Sequence, residues 1–294
     1  MKAGKRTVEI TRPDKELFPG ITKRDLCEYY ARVAPAMLPL VAGRPITMER
    51  YPDGISGQRL MQKNAPKYFP DWIRRAVVRK SGGTVEHPIA DDAAVLVYMA
   101  NQAAITLHMW LSDIEHADNP DQMVFDLDPT GCSWRQIVEG ARAVREMLAS
   151  LGVPVFLKTS GSRGLHLHVP LDRSATYADV RAFSESIASR LQALDPSLFT
   201  TEFHKAKREA CLFLDVARNA YAQTIVAPFS VRALPGAPVS VPIEWDELDQ
   251  IEGATAFTIA TVSARLDAGV DPWRGFKRAR RSLRAAAKKL DQTV

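Results

Sequence analysis

Two aspartates close the run Met123-Val124-Phe125-Asp126-Leu127-Asp128-Pro129. On a strand, side chains two apart leave the same face, so both carboxylates emerge together, close enough to resist ionising at once. A divalent cation between them reverses that local repulsion, and hard carboxylate oxygens suit magnesium or manganese. Asp215 closes the short apolar run Leu212-Phe213-Leu214-Asp215 with no lysine or arginine immediately beside it. It is the third candidate carboxylate.

Two metal-dependent chemistries fit this pattern. One is a haloacid-dehalogenase-like phosphatase using Asp126-Leu127-Asp128-Pro129-Thr130 as DxDxT, with Thr159 or Ser160 as the phosphate-binding hydroxyl. The other is a nucleotidyl transferase, in which carboxylates from two strands hold two ions for in-line phosphoryl transfer. A plainer arrangement, one buried acid with a partner and one exposed acid on a turn, needs no metal at all.

The segment Lys158-Thr159-Ser160-Gly161-Ser162-Arg163-Gly164-Leu165-His166-Leu167-His168 bears on the choice. Its glycines permit a tight turn whose backbone N–H groups, with hydroxyls and Arg163, can face an anion. On the strand that follows, His166 and His168 alternate with Leu165, Leu167 and Val169. A triphosphate clamp accounts for Ser160, Arg163 and His166 together, whereas a phosphatase has no need of that strand. Arg232, at the end of Ala227-Pro228-Phe229-Ser230-Val231-Arg232, is either a further anion contact or a surface cation.

The elements that must position these residues alternate between helix and strand. Periodicity and end signals predict a helix from Thr22 to Leu40 interrupted by Pro35 and Pro39, and others over the segments opening at Asp91, Ser133 and Thr176. Strands are expected at ITMERYP, RLMQKN, ITLHMW, MVFDLD, VPVFLKTS, LHLHVPL and CLFLDV, with TIVAPFSVRA extended. A last helix is expected between Gly253 and Val270. Phe276, Ala279, Leu283, Ala286 and Leu290 mark an amphipathic tail. The fold class is α/β with a mixed sheet.

Composition sets the surroundings. The 294 residues are 46% hydrophobic, enough for a packed core, and no apolar run reaches membrane-spanning length. Cys27, Cys132 and Cys211 lie far apart without CxxC spacing and are expected to be buried thiols of a reduced, cytosolic protein. The net charge of +5 is uneven: eight Lys/Arg and no acid lie between Arg274 and Lys289, leaving −3 for the rest. A second basic stretch, Arg44 to Lys80, holds nine Lys/Arg against three acids. Such segregation suits a phosphate-bearing partner or a solvated face.

VFDLDP, TSGSRGLHLH, LFLDVARN and TIVAPFSVRA, in this order and spacing, resemble the polymerase domain of bacterial DNA ligase D, in the archaeo-eukaryotic primase superfamily. The resemblance runs from RPDKELFPGITKRDLCEYY through AGRPITMERYPDG to WDELDQ. It implies a primase-polymerase module over residues 1–273, with a small N-terminal region packed on it, and a basic tail over 274–294. It also implies Asp126, Asp128 and Asp215 as ligands of two Mn2+ or Mg2+ ions, and Ser160, Arg163 and His166 on the triphosphate. Arg232 and His108 would contact the incoming nucleotide, and Lys15 and Lys23 would grip a 5′-phosphate across a gap. Implied partners are gapped or broken DNA, nucleoside triphosphates with a preference for ribonucleotides, and Ku and a DNA ligase in trans. The implied protein is a monomer acting in the bacterial cytoplasm. Leu60 and Met61 depart from relatives that place template-stacking aromatics there, and no KxDG ligase signature occurs. A non-catalytic module that only binds DNA ends is the contrasting reading.

Overall fold

The structure is a computed structural model and describes residues 1–80, 82–208 and 212–292. The chain divides into two compact units. The first comprises Met1–Glu115, Thr224–Val241 and Phe257–Val270, and the second comprises His116–Gln223, Pro242–Ala256 and Asp271–Val294.

In the first unit, the helix Lys23–Val41 packs on the helix Ala93–Asn101. Thr22 and Asp25 form a reciprocal capping box that satisfies the first helical N–H groups. The expected interruption does not occur, since this helix runs through Pro35 and Pro39. Both prolines are exposed and four residues apart, so the donors they lack are missing from the solvent-facing side of the helix. A four-stranded sheet lies in the order Ile225–Val226, Ala104–Met109, Ile46–Arg50, Leu60–Gln62, antiparallel throughout. The run TIVAPFSVRA is extended only in part: a turn follows Val226, with the Ser230 N–H on the Ala227 carbonyl and Phe229 at φ +63°. The hairpin Glu16–Phe18/Ile21–Thr22 sets Lys15 across from the start of the long helix, with the Lys23 N–H bonded to the Lys15 carbonyl at 2.8 Å.

The second unit is built on a six-stranded mixed sheet. Its order is Phe199–Thr200, Leu212–Asp215, Gln122–Pro129, Leu165–Pro170, Phe156–Thr159, Pro242–Ile243; the first pair is parallel and the rest antiparallel. The helices Trp134–Ser150 and Tyr177–Leu194 each open on a capping box, at Ser133 and Thr176. After Asp215 the chain turns away, and the Asn219 side chain completes the ladder. Its Oδ1 accepts from the Val124 N–H at 2.8 Å and its Nδ2 donates to the Val124 carbonyl at 2.7 Å.

The basic tail belongs to this second unit. Trp273 stacks on Phe276 at 4.8 Å and donates to the Leu157 carbonyl at 2.9 Å. The helix Leu283–Gln292 buries Leu283, Ala286 and Leu290. Cys27 is a buried free thiol pushed up to about 12 by burial. Cys132, by contrast, is disulfide-bonded and not the expected thiol; Cys211 lies outside the described residues. No helix of the described residues is long and apolar enough to cross a membrane.

Candidate active site

One lateral row of the six-stranded sheet carries most of the candidate chemistry. Lys158 pairs with His166, His166 with Asp126, and Asp126 with Asp215, so four polar residues from four strands lie side by side. Asp128 stands two residues beyond Asp126 on the same face. Leu127, between them, points into the core and is fully buried. The alternation seen in the sequence therefore anchors the strand through its leucine and presents both acids.

The acids are crowded. Burial raises the pKa of Asp215; Arg218 opposes the rise, and Asp126 and Asp128 add to it. Guanidinium groups supply the countercharge. Arg218 Nε lies 3.2 Å from Asp215 and 3.8 Å from Asp126, Arg163 lies 3.0 Å from Asp128, and Arg208 lies 3.4 Å from Asp128. Arg208 also sits over the Phe213 ring at 4.0 Å, its side chain almost fully buried. Asp215 thus has a cation three residues on, although the sequence shows none directly beside it.

Among the described residues, no three His, Cys, Asp or Glu side chains are gathered to hold an ion as they stand. The donor set nonetheless fits one. Three carboxylates on two paired strands, one resisting ionisation through burial and then through its acidic neighbours, are the hard ligands a divalent cation takes.

The glycine turn beside the acids is shaped by Ser160. Its Oγ accepts from the N–H groups of Ser162 and Gly164, both at 3.1 Å, and Gly161 takes φ +67°. Gly164 is required by space: a β-carbon there would overlap the Leu127 carbonyl oxygen, between the two aspartates. Arg163 projects outward with more than half of its side chain exposed. His166 lies against Lys158 at 2.7 Å and Asp126 at 3.3 Å. His168 is a core residue, 2.7 Å from Gln122 and packed on Trp273. Thr159 is fully buried, so it offers no hydroxyl to a phosphate substrate.

The remaining candidates lie in the first unit. His108 Nε2 is 3.1 Å from Glu49, which also receives the Tyr51 hydroxyl at 2.8 Å and Arg59 at 2.9 Å. Arg232 is half-buried and acts electrostatically on Tyr51, which places it near the same cluster. Burial raises Glu49, but hydrogen bonds from His108 and Tyr51 and the charges of His108 and Arg59 outweigh it, holding the carboxyl at about 2.

Lys15 and Lys23 come together at the hairpin. Lys23 is buried and donates to the Thr11 carbonyl at 2.7 Å, while Lys15 pairs with Asp53 at 2.9 Å. Burial lowers Lys23, and the charges of Arg12, Lys15 and Arg50 lower it further. Cations crowded this way, at the start of a helix, concentrate positive charge that favours an anion. Leu60 and Met61 are exposed on the edge strand of the four-stranded sheet.

The sequence reading did not assign Lys158, Arg208, Arg218 or Glu49. Each charged group is recognisable only by the acid or histidine opposite it in space.

The family described as LigD, primase-polymerase domain, matches residues 22–273. The multifunctional non-homologous end joining DNA repair protein LigD of Mycobacterium tuberculosis is 38% identical over 258 residues, 84% of this chain and 34% of that protein. The multifunctional non-homologous end joining protein LigD of Pseudomonas aeruginosa is 33% identical over 297 residues, 98% of this chain and 35% of that protein. The chain thus spans about a third of the length of these relatives. Among solved structures, the polymerase domain from Mycobacterium tuberculosis ligase D in complex with DNA superposes with a TM-score of 0.87 at 34% identity, covering 92% of this chain and 98% of that one.

Proposed function

Because the chain belongs to the LigD primase-polymerase domain family, we propose that it is a DNA-dependent nucleotidyl transferase that extends primer ends and fills short gaps at DNA breaks in end-joining repair. The observation that carries this reading is the row of carboxylates on adjacent strands, Asp126 opposite Asp215 with Asp128 beside them, next to the Ser160–Gly164 turn.

Asp126, Asp128 and Asp215 would hold Mn2+ or Mg2+, which when bound lowers the pKa of a primer 3′-hydroxyl and neutralises triphosphate charge. The chain's own residues bind and orient. Arg163, exposed on the turn, reaches a phosphate with a charge-assisted hydrogen bond. His166 Nε2 faces the acid row and can donate to a phosphate oxygen there. Ser160 keeps the turn in shape by accepting its two N–H groups. His108, braced by Glu49, and Arg232 are kept as nucleotide contacts on the family resemblance alone. Lys15 and Lys23 take the 5′-phosphate on the far side of a gap. A preference for ribonucleotides and cooperation with Ku and a ligase in trans are part of this reading and rest on the family resemblance. A DxDxT phosphatase is disfavoured, since Thr159 is buried and the Ser160 hydroxyl braces the turn.

The test is primer extension on a gapped duplex with Mn2+ or Mg2+, with and without a 5′-phosphate on the downstream strand. Extension is expected with the parent protein and not with Asp126→Ala, which keeps its DNA affinity. The 5′-phosphate tightens binding, and the pair Lys15→Ala/Lys23→Ala erases that gain while sparing open primer-templates. DNA binding with no incorporation under either metal points instead to a non-catalytic end-binding module.

A further inference from the structure

Lys158 is a charged side chain with no exposure to solvent, on the strand Phe156–Thr159. Burial of an ammonium is costly unless its donors are used. One of them is directed at a ring nitrogen: Lys158 Nζ lies 2.7 Å from His166 Nδ1, and the two residues are direct partners across the strands. The other ring nitrogen, His166 Nε2, faces Asp126 Oδ1 at 3.3 Å. The three side chains form a row that runs from the sheet interior to the carboxylates.

An ammonium has three donors and no acceptor, so the ring nitrogen that meets it must offer a lone pair. The opposite nitrogen then carries the proton. A carboxylate accepts only, so the Asp126 side of the ring demands the same tautomer. We propose that Lys158 is a positioning residue of the nucleotide site: it fixes His166 as the Nε2–H tautomer and holds the ring so that this one N–H points at the acid row. In the free protein that N–H meets Asp126, and with nucleotide bound it meets a phosphate oxygen. Lys158 itself touches no substrate. This inference rests on the nucleotidyl-transfer reading for its consequence, but the tautomer can be tested without it.

The first measurement uses the unliganded parent protein. Nitrogen-15 NMR of histidine-labelled protein, with the His166 signals identified by their loss in His166→Gln, is expected to show a protonated Nε2 and an unprotonated Nδ1. A protonated Nδ1 with a bare Nε2 overturns the proposal whatever the activity. The second is a double-mutant cycle in primer extension, with folding of each variant checked by circular dichroism. Lys158→Met removes the donors at similar length and is expected to raise the nucleotide KM about ten-fold with a smaller change in kcat. In the His166→Gln background, Lys158→Met is expected to have no further effect on KM. Additive effects in the cycle, or an unchanged KM in Lys158→Met, overturn the positioning role. If the parent protein extends no primer, the functional reading fails, and the NMR result still decides the tautomer.

Discussion

Glu49 shows how a residue can matter without any local sequence signal. It sits in Ile46-Thr47-Met48-Glu49-Arg50, legible only as a strand, and its partners His108 and Arg59 are supplied by other segments. Those partners lower its pKa from the ordinary 4.5 to about 2 despite burial. A folded-state value below the unfolded one stabilises the protein above about pH 4.5, and that contribution is lost as pH falls through about 2. Glu49→Gln should therefore cost up to about 3 kcal/mol at neutral pH. Its stability should also be flatter than the parent's as pH falls from about 4.5 to about 2. Denaturant unfolding across that range checks this, and parallel curves would show that His108 is not held by a charged Glu49. Asp215 and Arg218 teach the same lesson at shorter range. The motif LFLDVARN contains both, yet only the turn after the strand shows that the arginine comes back to the acid.

At the scale of elements, alternation and end signals were enough to place the aspartate strand, the histidine strand and the capped helices. They failed where a partner or a solvent-exposed face decided the outcome, as at Pro35 and Pro39, and where a non-glycine residue took positive φ, as at Phe229. The glycine turn was legible as a turn, but the reason for its second glycine was not. Gly164 is fixed by the backbone of another strand, so Gly164→Ala must push Leu127 and both flanking acids aside. Gly161 needs a glycine for its positive φ. Gly161→Ala should cost about 1 kcal/mol and keep primer extension. Gly164→Ala should cost more and abolish extension, as followed by thermal unfolding and the gapped-duplex assay. Equal losses of activity in the two variants would show that turn conformation, not the packing against Leu127, maintains the acids.

For the whole molecule, charge and hydropathy were informative about composition and less so about attachment. Phe276, Ala279, Leu283, Ala286 and Leu290 were legible as one apolar face, and all are buried except Ala279, which is half-buried. What meets them could not be read, because the partners come from segments far away: the Phe276 ring meets that of Phe156 at 5.0 Å, and Arg190 donates to the Leu290 carbonyl at 2.6 Å. The tail is thus both a basic surface and part of the second unit's core. Truncation after Trp273 should lower the thermal midpoint as well as DNA affinity. Replacing the exposed Lys277, Arg278 and Lys288 with serine should leave the midpoint nearly unchanged. It should reduce the slope of log affinity against log salt by up to about 0.9 for each DNA phosphate that is no longer neutralised. Binding titrations over a range of salt, beside thermal unfolding, separate the two contributions.

The side chain of Asn219 closes the ladder at Val124, and a side chain can rotate away without the strand unfolding. In an antiparallel sheet, alternate residues bond to opposite neighbours, so Phe125 is secured by the strand opposite while Val124 depends on one amide group. Amide hydrogen exchange should therefore be heterogeneous along the aspartate strand. Val124 should exchange through a local opening, faster than Phe125, which should wait for a larger unfolding event. In Asn219→Ala the Val124 amide should lose most of its protection while that of Phe125 falls only with global stability. The segment leading to Asp126 would then have a measurable opening rate of its own, set by one asparagine.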